Sequence, residues 1–513
     1  MSNKKKDILN ELEGMIAVGT NTIAIKNLLK KLEKFSNHKA VEKLIVSHAY
    51  SIIGQNKKAL LLLGRERPYH ELKYISEDEI QIQAALARVL LYMGSFYVAK
   101  RILTNVSQVI KERNIANRKL KNDITNYYCQ LYRATGDSDK MLYYAQKGVK
   151  SYSSDSSEWD LCKCLEIGAL IKLSKYENAQ SELIKYENEQ KNSQWISVIY
   201  NLRMMFSICL GKKDFKIAKE ILDQLKNLVD LKVESLNLGQ YWLLEGKYNL
   251  AVNMPAKAKL AYKNALKIFN SFEYYALSIS AKEGLGKSGE DIFKGIWAFD
   301  LLFHPSFYLE RDCFSTSNET SCFSFQNDVI TSMNYDVAKL YDSPEIIDLV
   351  SGIYLKNREL NILSEKQSLF LLAVIGSGEF GIDIYTLTDF IYRAEFFDPK
   401  YSLDRSRKLM SYLKKMGFNF KKKKDRIYYD SYRNVKIIMP RKGELPELIL
   451  YVSANFYNFK RADIEELLNI SNGTANRLIS SWVDEGKVEV ISKGKNSSYS
   501  FKGKKYEDSK VSC

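Results

Sequence analysis

Proline is scarce in this chain: seven in 513 residues, with only Pro68 and Pro255 in the first 300. Proline breaks helices by removing an amide donor and clashing with the preceding turn, so this long stretch carries almost no breakers. The shortage excludes a collagen-like or proline-rich linker protein and argues against a β-sandwich. Long hydrophobic runs are missing too. The longest, Leu369 to Ile375, falls far short of the roughly 20 residues that span a bilayer. Near the start, Lys4, Lys5 and Lys6 are followed by Asp7, Glu11 and Glu13, acidic residues that interrupt any signal-peptide core. The seven cysteines are scattered, odd in number and without framework spacing, which fits reduced thiols. A cytoplasmic protein with no membrane association is the expectation. The four histidines are widely spaced, and Cys162 and Cys164, two apart on a predicted helix, point to opposite sides and cannot jointly grip a metal. No nucleophile–base constellation rises above background, so no metal, cofactor or enzymatic activity is expected.

What the chain has is length and uneven charge. It is 45% hydrophobic and 27% charged, able to bury cores and too long for a single one. The net charge is +16 with a pI near 9.1. Residues 401–513 hold 24 Lys plus Arg against 13 Asp plus Glu, a net of +11, which leaves only +5 for the first 400. A basic C-terminal part that meets an anion is one reading; a solvated lysine-rich surface is the other.

The first half repeats. A small or polar residue, an aromatic or polar residue at +2 and a small residue at +5 recur as Gly54-Gln-Asn56-Lys-Lys-Ala59, Gly94-Ser-Phe96-Tyr-Val-Ala99 and Gly136-Asp-Ser138-Asp-Lys-Met141. They return as Ser174-Lys-Tyr176-Glu-Asn-Ala179, Lys213-Asp-Phe215-Lys-Ile-Ala218 and Asn253-Met-Pro255-Ala-Lys-Ala258. The +5 positions advance by 40, 42, 38, 39 and 40 residues, a near-constant step. Each copy reads as two helices joined by that turn. Leu161, Cys164, Leu165 and Gly168 share one helical face before the fourth turn, and Ala258, Tyr262, Ala265 and Phe269 share one after the sixth. The Ala258-Tyr262-Ala265 spacing resembles the second helix of the tetratricopeptide repeat, although the step exceeds that family's usual ~34 residues. The resemblance covers about residues 20–285 and implies a helical solenoid whose curved face suits a protein or peptide partner, or another copy of itself.

A different pattern occupies the C-terminal third. Ile346–Leu349, Ile353–Leu355 and Glu359–Ile362 read as short strands. Ser364 and Gln367 form a capping-box signature before an apolar helix. A short helix about Thr386–Tyr392 comes next, then a helix over Ser402–Met416 ended by Gly417. Phe418–Lys421 and Arg426–Tyr429 alternate as two strands around Lys422, Lys423, Lys424 and Asp425. This set resembles the winged-helix output domain of response regulators and antibiotic-pathway regulators. By that resemblance Ser402–Met416 is the recognition helix and Lys421–Tyr428 the wing. No receiver domain precedes it, so phosphorelay control is not implied.

After a linker around Pro440–Pro446 come three more helices, Leu448–Phe456, Arg461–Leu468 and Thr474–Glu485, with a turn at Asn469–Gly473 capped by Ser471. Strands over Val488–Ser492 and Ser498–Phe501 flank Lys493 and Lys495. Ser471, Thr474, Arg477, Ile479, Trp482 and Gly486 match the helix-turn-helix pattern of bacterial winged-helix repressors, which this segment resembles.

The fold class expected is therefore mainly α: a solenoid of about six helix pairs with two C-terminal winged-helix (α+β) domains. The boundaries are 1–286 for the solenoid, 287–340 for an aromatic-rich connector, 341–440 and 441–505 for the two winged helices, and 506–513 for a tail. A recognition helix needs exposed small, amide and cationic side chains near its start. Ser402, Arg405, Ser406 and Lys408 supply them in the first unit, and Thr474, Asn476, Arg477 and Ser480 in the second. Arg can read guanine and Asn adenine, while Lys422, Lys423, Lys424, Lys493 and Lys495 would neutralise phosphates. The function these residues suggest is a DNA-binding transcriptional regulator on double-stranded DNA, whose solenoid binds a protein or peptide and which can form homo-oligomers. The alternative is a scaffold whose winged helices bind protein. Ala281–Ser288 is one glycine short of a phosphate-binding loop and comes after a helix instead of a strand, so a turn between repeats is expected there. Gly376–Gly381 is read as a turn between helices for the same reason.

Overall fold

The computed structural model describes residues 3–18, 22–35, 38–153, 156–189, 195–229, 235–288, 321–326, 329–334, 343–357, 359–377, 381–392, 397–423, 425–430, 435–440, 448–456, 458–492, 494 and 497–501. Of these, one compact unit holds residues 3–288 and 382–408, and a second holds 321–381 and 409–501. The fold is mainly α, with small sheets confined to the C-terminal part.

The first unit is a helical solenoid. It opens with α1 (Asn3–Val18) and α2 (Thr22–Leu32), then pairs α3 (Ala40–Ile52) with α4 (Asn56–Leu63). After the short α5 (Tyr69–Leu72) come α6 (Glu77–Tyr92) with α7 (Phe96–Glu112), and α8 (Arg118–Thr135) with α9 (Ser138–Ser151). The series continues with α10 (Ser157–Lys172) and α11 (Tyr176–Glu189), α12 (Trp195–Gly211) and α13 (Phe215–Leu228), α14 (Leu236–Ala251) and α15 (Pro255–Ser271), and ends on α16 (Tyr275–Lys287). The repeated turn has a backbone cause. Its first residue, Gly54, Gly94, Gly136, Ser174, Lys213 or Asn253, has positive φ each time, the left-handed conformation that ends a helix. Glycine or asparagine lessens the strain in four of the six. Lys213 has no such ease and is held by the amide of Asp214 donating to the Cys209 carbonyl at 2.9 Å. The small residues at +5, Ala59, Ala99, Ala179, Ala218 and Ala258, are fully buried where the next helix must come close. Ser76, Asn117, Asp137, Ser156, Asp214 and Ser235 cap helix starts by accepting a backbone amide.

Cores run from pair to pair. Cys129, Met141, Ala145, Leu165 and Ala169 join α8, α9 and α10, and Trp159, Leu183, Tyr186 and Met204 carry the packing on to α12. Tyr262 on α15 lies between Gly246 on α14 and Gly284 on α16, where an added Cβ would sit 2.6 and 2.2 Å from the ring. Ala281–Lys287 is thus the end of helix α16 and not the turn expected from the sequence; Gly284 is there to let the ring in.

The solenoid also closes on itself. The turn after α15 reaches back to the first pair: Asn56 Nδ2 donates to the Glu273 carbonyl at 3.1 Å, and the Lys57 amide donates to the Glu273 carboxylate at 3.0 Å. Tyr92 and Tyr274 stack with centroids 4.5 Å apart. Residues 382–408 dock beside this closure. They comprise the two-residue strand β6 (Ile382–Asp383), helix α18 (Ile384–Ile391) and the first half of α19 (Tyr401–Lys415). The buried Asp383 carboxylate pairs with Lys57 at 3.0 Å. Thr386 donates to the Met93 carbonyl at 3.2 Å, and the Phe397 amide to the buried Glu66 carboxylate at 2.9 Å.

The second unit is built on a six-stranded sheet of order β2-β1-β9-β3-β4-β5, with β1 (Ser321–Gln326), β2 (Val329–Asn334), β3 (Glu345–Asp348), β4 (Ile353–Lys356), β5 (Glu359–Ile362) and β9 (Val435–Pro440). Only β3 and β9 run parallel. Strands β1 and β2 lie in the stretch read as a connector; residues 289–320, 327–328 and 335–340 of that stretch are outside the described residues. Helix α17 (Glu365–Gly376) starts on the expected capping box of Ser364 and Gln367. The hairpin β7 (Phe420–Lys423) and β8 (Arg426–Tyr429) turns Phe420, Ile427 and Tyr429 inward and Lys421, Lys422 and Lys423 outward. Last come α20 (Leu448–Asn455), β10 (Asn458–Lys460), α21 (Arg461–Leu468), α22 (Asn472–Asp484), β11 (Val488–Ser492) and β12 (Ser498–Phe501), with sheet order β10-β12-β11. Their core, Val452, Phe459, Ile464, Leu468, Ile479 and Trp482, is continuous with Ile346, Ile353 and Ile438 of the large sheet. Among the described residues no helix is long and apolar enough to cross a membrane.

Candidate functional site

Two regions carry chemistry-bearing side chains without a purely structural reason, one in each unit. In the second unit it is helix α22. Asn469 at φ 50° turns the chain after α21, and Ser471 caps α22 by accepting the Thr474 amide at 3.4 Å. Ala475, Ile479 and Trp482 are buried on one side, which leaves Asn476, Arg477 and Ser480 exposed on the other. Asn476 Nδ2 donates to Asn472 Oδ1 at 3.0 Å, and Arg477 Nε donates to the Gly473 carbonyl at 3.3 Å, both along the exposed side of their own helix. Thr474 is half-buried, its hydroxyl 3.0 Å from that of Ser471. The hairpin lysines Lys422 and Lys423 are exposed, while Lys421 pairs with Asp430. Lys424, Lys493 and Lys495, and the side chain of Ser402, lie outside the described residues.

The charge of the basic C-terminal part is uneven. Residues 401–440 hold twelve Lys plus Arg against three Asp plus Glu, whereas 458–501 balance six against six. The α22 segment therefore carries exposed polar groups with little net charge, and the positive excess lies in 401–440.

The helix expected to read bases in the first unit needs correction at two residues. Ser406 is fully buried and its hydroxyl lies 2.8 Å from that of Thr388, so it is spent on holding α19 against α18 and offers nothing to a ligand. The Arg405 guanidinium lies 4.3 Å from the Tyr392 ring centroid and 5.7 Å from that of Tyr401, a half-buried stacked position. Lys408 is exposed as expected.

The second region was missed from the sequence. It is the inner face of the solenoid, lined by the first helix of each pair. Arg88, Arg133, Lys172, Arg203 and Lys247 lie on α6, α8, α10, α12 and α14. The Arg203 guanidinium donates to Gln240 Oε1 at 2.8 Å and rests 5.1 Å from the Tyr200 ring. Lys172 donates to the Arg133 carbonyl at 2.8 Å. Crowding by packed atoms, with repulsion from Arg133 and Lys247, pushes the Lys172 ammonium down to about 8 although solvent still reaches it. Crowding by neighbouring atoms lowers Lys247 as well, although its side chain stays exposed; Glu283 opposes the effect, and Lys287 and Arg203 add to it. A signal was present. Counted back from the residue at +5 of the following turn, the five cations fall 11, 8, 7, 15 and 11 positions earlier, which is one stripe of a helix. Aligning the copies on their turns would have exposed it.

No family model and no curated protein matches the chain. Solved structures do. A Rap protein complexed with competence and sporulation factor aligns over 55% of this chain and 80% of its own, at 12% identity and a TM-score of 0.41. The structure of phAimR with its ligand aligns over 55% of this chain and 88% of its own, at 12% identity and a TM-score of 0.28.

Proposed function

We propose that the chain is a DNA-binding transcriptional regulator: α22 lies in the major groove, the exposed lysines of residues 401–423 meet phosphates, and the solenoid takes a partner or effector that governs binding. The observation that supports this reading best is the two-sided character of α22. Ala475, Ile479 and Trp482 seal its inner side, and Asn476, Arg477 and Ser480 stand exposed on the outer one, the donor and acceptor types that discriminate base edges. The β11–β12 pair beside it takes the part of a wing, and the β7–β8 hairpin with Lys422 and Lys423 that of a second. In this reading the chain binds and does not catalyse. Regulation is a shift between arrangements of the solenoid, biased by whatever its inner face holds.

A selection from a pool of random duplexes with the full chain at low salt tests it. Recovery of a shared short motif supports the reading, and recovery of no DNA at all speaks for the scaffold alternative. One observation favours that second reading: Val490 and Ile491, adjacent on β11, are 38% and 53% exposed, an apolar pair suited to a protein surface.

A further inference from the structure

The inner face of the solenoid holds positive charge that the solenoid does not neutralise. We infer that this face binds a compact multivalent anion, a ligand presenting several carboxylates or phosphates close together, with Arg203 and Lys247 among its direct partners. This deepens the reading of the solenoid as an effector site and rests on it.

Four of the five cations border one space, and Arg88 reaches it through Tyr274, on which Arg133 also acts. Arg133 and Lys247 act on Lys172, Arg133 acts on Arg203, and Arg203 acts on Lys247, so side chains from helices two pairs apart lie within electrostatic reach. Neighbours along a straight stack of helices would not couple that way; a closed solenoid brings them together. Counter-charge there comes from Asp123, which acts on Arg88, and from Glu283, which acts on Lys172 and Lys247. Glu283 is engaged by Lys287 at 2.8 Å. Among the described residues Arg133, Lys172 and Lys247 form no ion pair, and Arg203 is held by neutral groups, Gln240 and Tyr200. Arg88 is more than nine-tenths buried, and its Nε has no hydrogen-bond partner. Buried polar donors are ordinarily satisfied, and one left open at the edge of a cationic space asks for an acceptor. Holding like charges together in a partly dehydrated recess is unfavourable. An anion reverses the sign, because each carboxylate or phosphate oxygen accepts charge-assisted hydrogen bonds from several of these groups at once. Tyr92 and Tyr274 add hydroxyls near Arg88.

Isothermal titration calorimetry on the full chain, with tripolyphosphate and with a heptaglutamate peptide as probes and heptaglutamine as the neutral control, tests the inference. At least one anionic probe should bind with one-to-one stoichiometry and lose its heat in about 0.5 M NaCl. Binding of tripolyphosphate alone points to a phosphate ligand, and binding of heptaglutamate alone to an acidic peptide. The double variant Arg203→Gln/Lys247→Gln should weaken the probe by about tenfold or more, while its thermal melting point holds or rises because repulsion is relieved. Binding should also fall between pH 7 and about 9 as Lys172, faced by Arg133 and Cys129 of α8, Lys247 of α14 and Glu283 of α16, loses its proton. Lys172→Met should flatten that dependence. Anionic probes that bind no better than heptaglutamine, or a double variant that binds as the wild type does, overturn the inference. Failure of the chain to select DNA, with these heats intact, sinks the DNA reading and leaves the anion site standing.

Discussion

Arg477 and Ser406 show how differently two residues of the same intended role can end. Both stand in a helix read from the sequence as a base reader. Arg477 is exposed, and Ser406 is buried against Thr388. Periodicity says which side of a helix is apolar; it does not say that a small polar side chain on the other side will be covered by a neighbouring helix. Ser471 was legible because a cap depends only on its own turn. Ser471→Ala should cost about 1 kcal/mol, read as a lower urea midpoint with an unchanged slope. Arg477→Ala should cut discrimination among duplexes by about 1–3 kcal/mol at one base position, whereas Lys422→Gln should weaken every duplex alike. Competition binding with single-base variants of a selected duplex checks both. Gly284 belongs to the same scale. A methyl there would sit 2.2 Å from the Tyr262 ring, and Gly284→Ala should destabilise by about 1–3 kcal/mol in the same urea experiment.

The turn between paired helices is the element that the sequence announces most clearly. Its first residue takes positive φ in all six copies, and the residue at +5 is buried each time, Met141 included. That is why the register of the solenoid could be read without any structure. The closure could not. It joins Asn56 and Lys57 to Glu273, contacts 217 and 216 positions apart, and no local pattern encodes so distant a pairing. Lys57 also holds the Asp383 carboxylate, whose side chain is 1% exposed. Lys57→Met strips that buried acid of its cation and removes the pair of the ammonium with Glu273 at 3.7 Å, leaving the backbone contact of the closure in place. Its expected cost is on the order of 3 kcal/mol, with faster proteolysis of the loop around Glu273. The inner stripe of cations works the other way. Lys172 titrates at about 8 in the folded chain, below its ordinary value. The unfolded chain therefore holds the proton more tightly through the interval above 8, and stability rises with pH there instead of falling. Lys172→Met should remove that rise and lift the melting point at neutral pH, as calorimetric scans across pH would report.

For the whole molecule, charge is the property that sequence totals conveyed least well. The net of +11 in the last 113 residues sits mostly in 401–440, and the α22 segment is balanced. The division of the chain explains part of this. Residues 382–408 look by sequence like one stretch with the hairpin that succeeds them, yet they are grouped with the helical repeat. Glu66, Lys57 and Met93 supply them with partners that only the folded solenoid brings into reach. Helix content, repeat register and the α21–α22 turn were open to reading; the closure and the pairing of β1 with β9 depended on contacts over long distances, whereas the inner stripe of cations and the β1–β2 hairpin are local patterns that went unread.

The central claim is that the chain meets a double helix through α22 and the lysine-rich hairpin. Its most direct test is the anisotropy of a labelled duplex titrated with the full chain at several salt concentrations. Binding should fall steeply with salt, with about 0.9 of log–log slope for each phosphate neutralised, and Lys422→Gln/Lys423→Gln should make the slope shallower by about two such steps. A duplex that stays free at the lowest salt, or a slope that the double variant leaves unchanged, contradicts it.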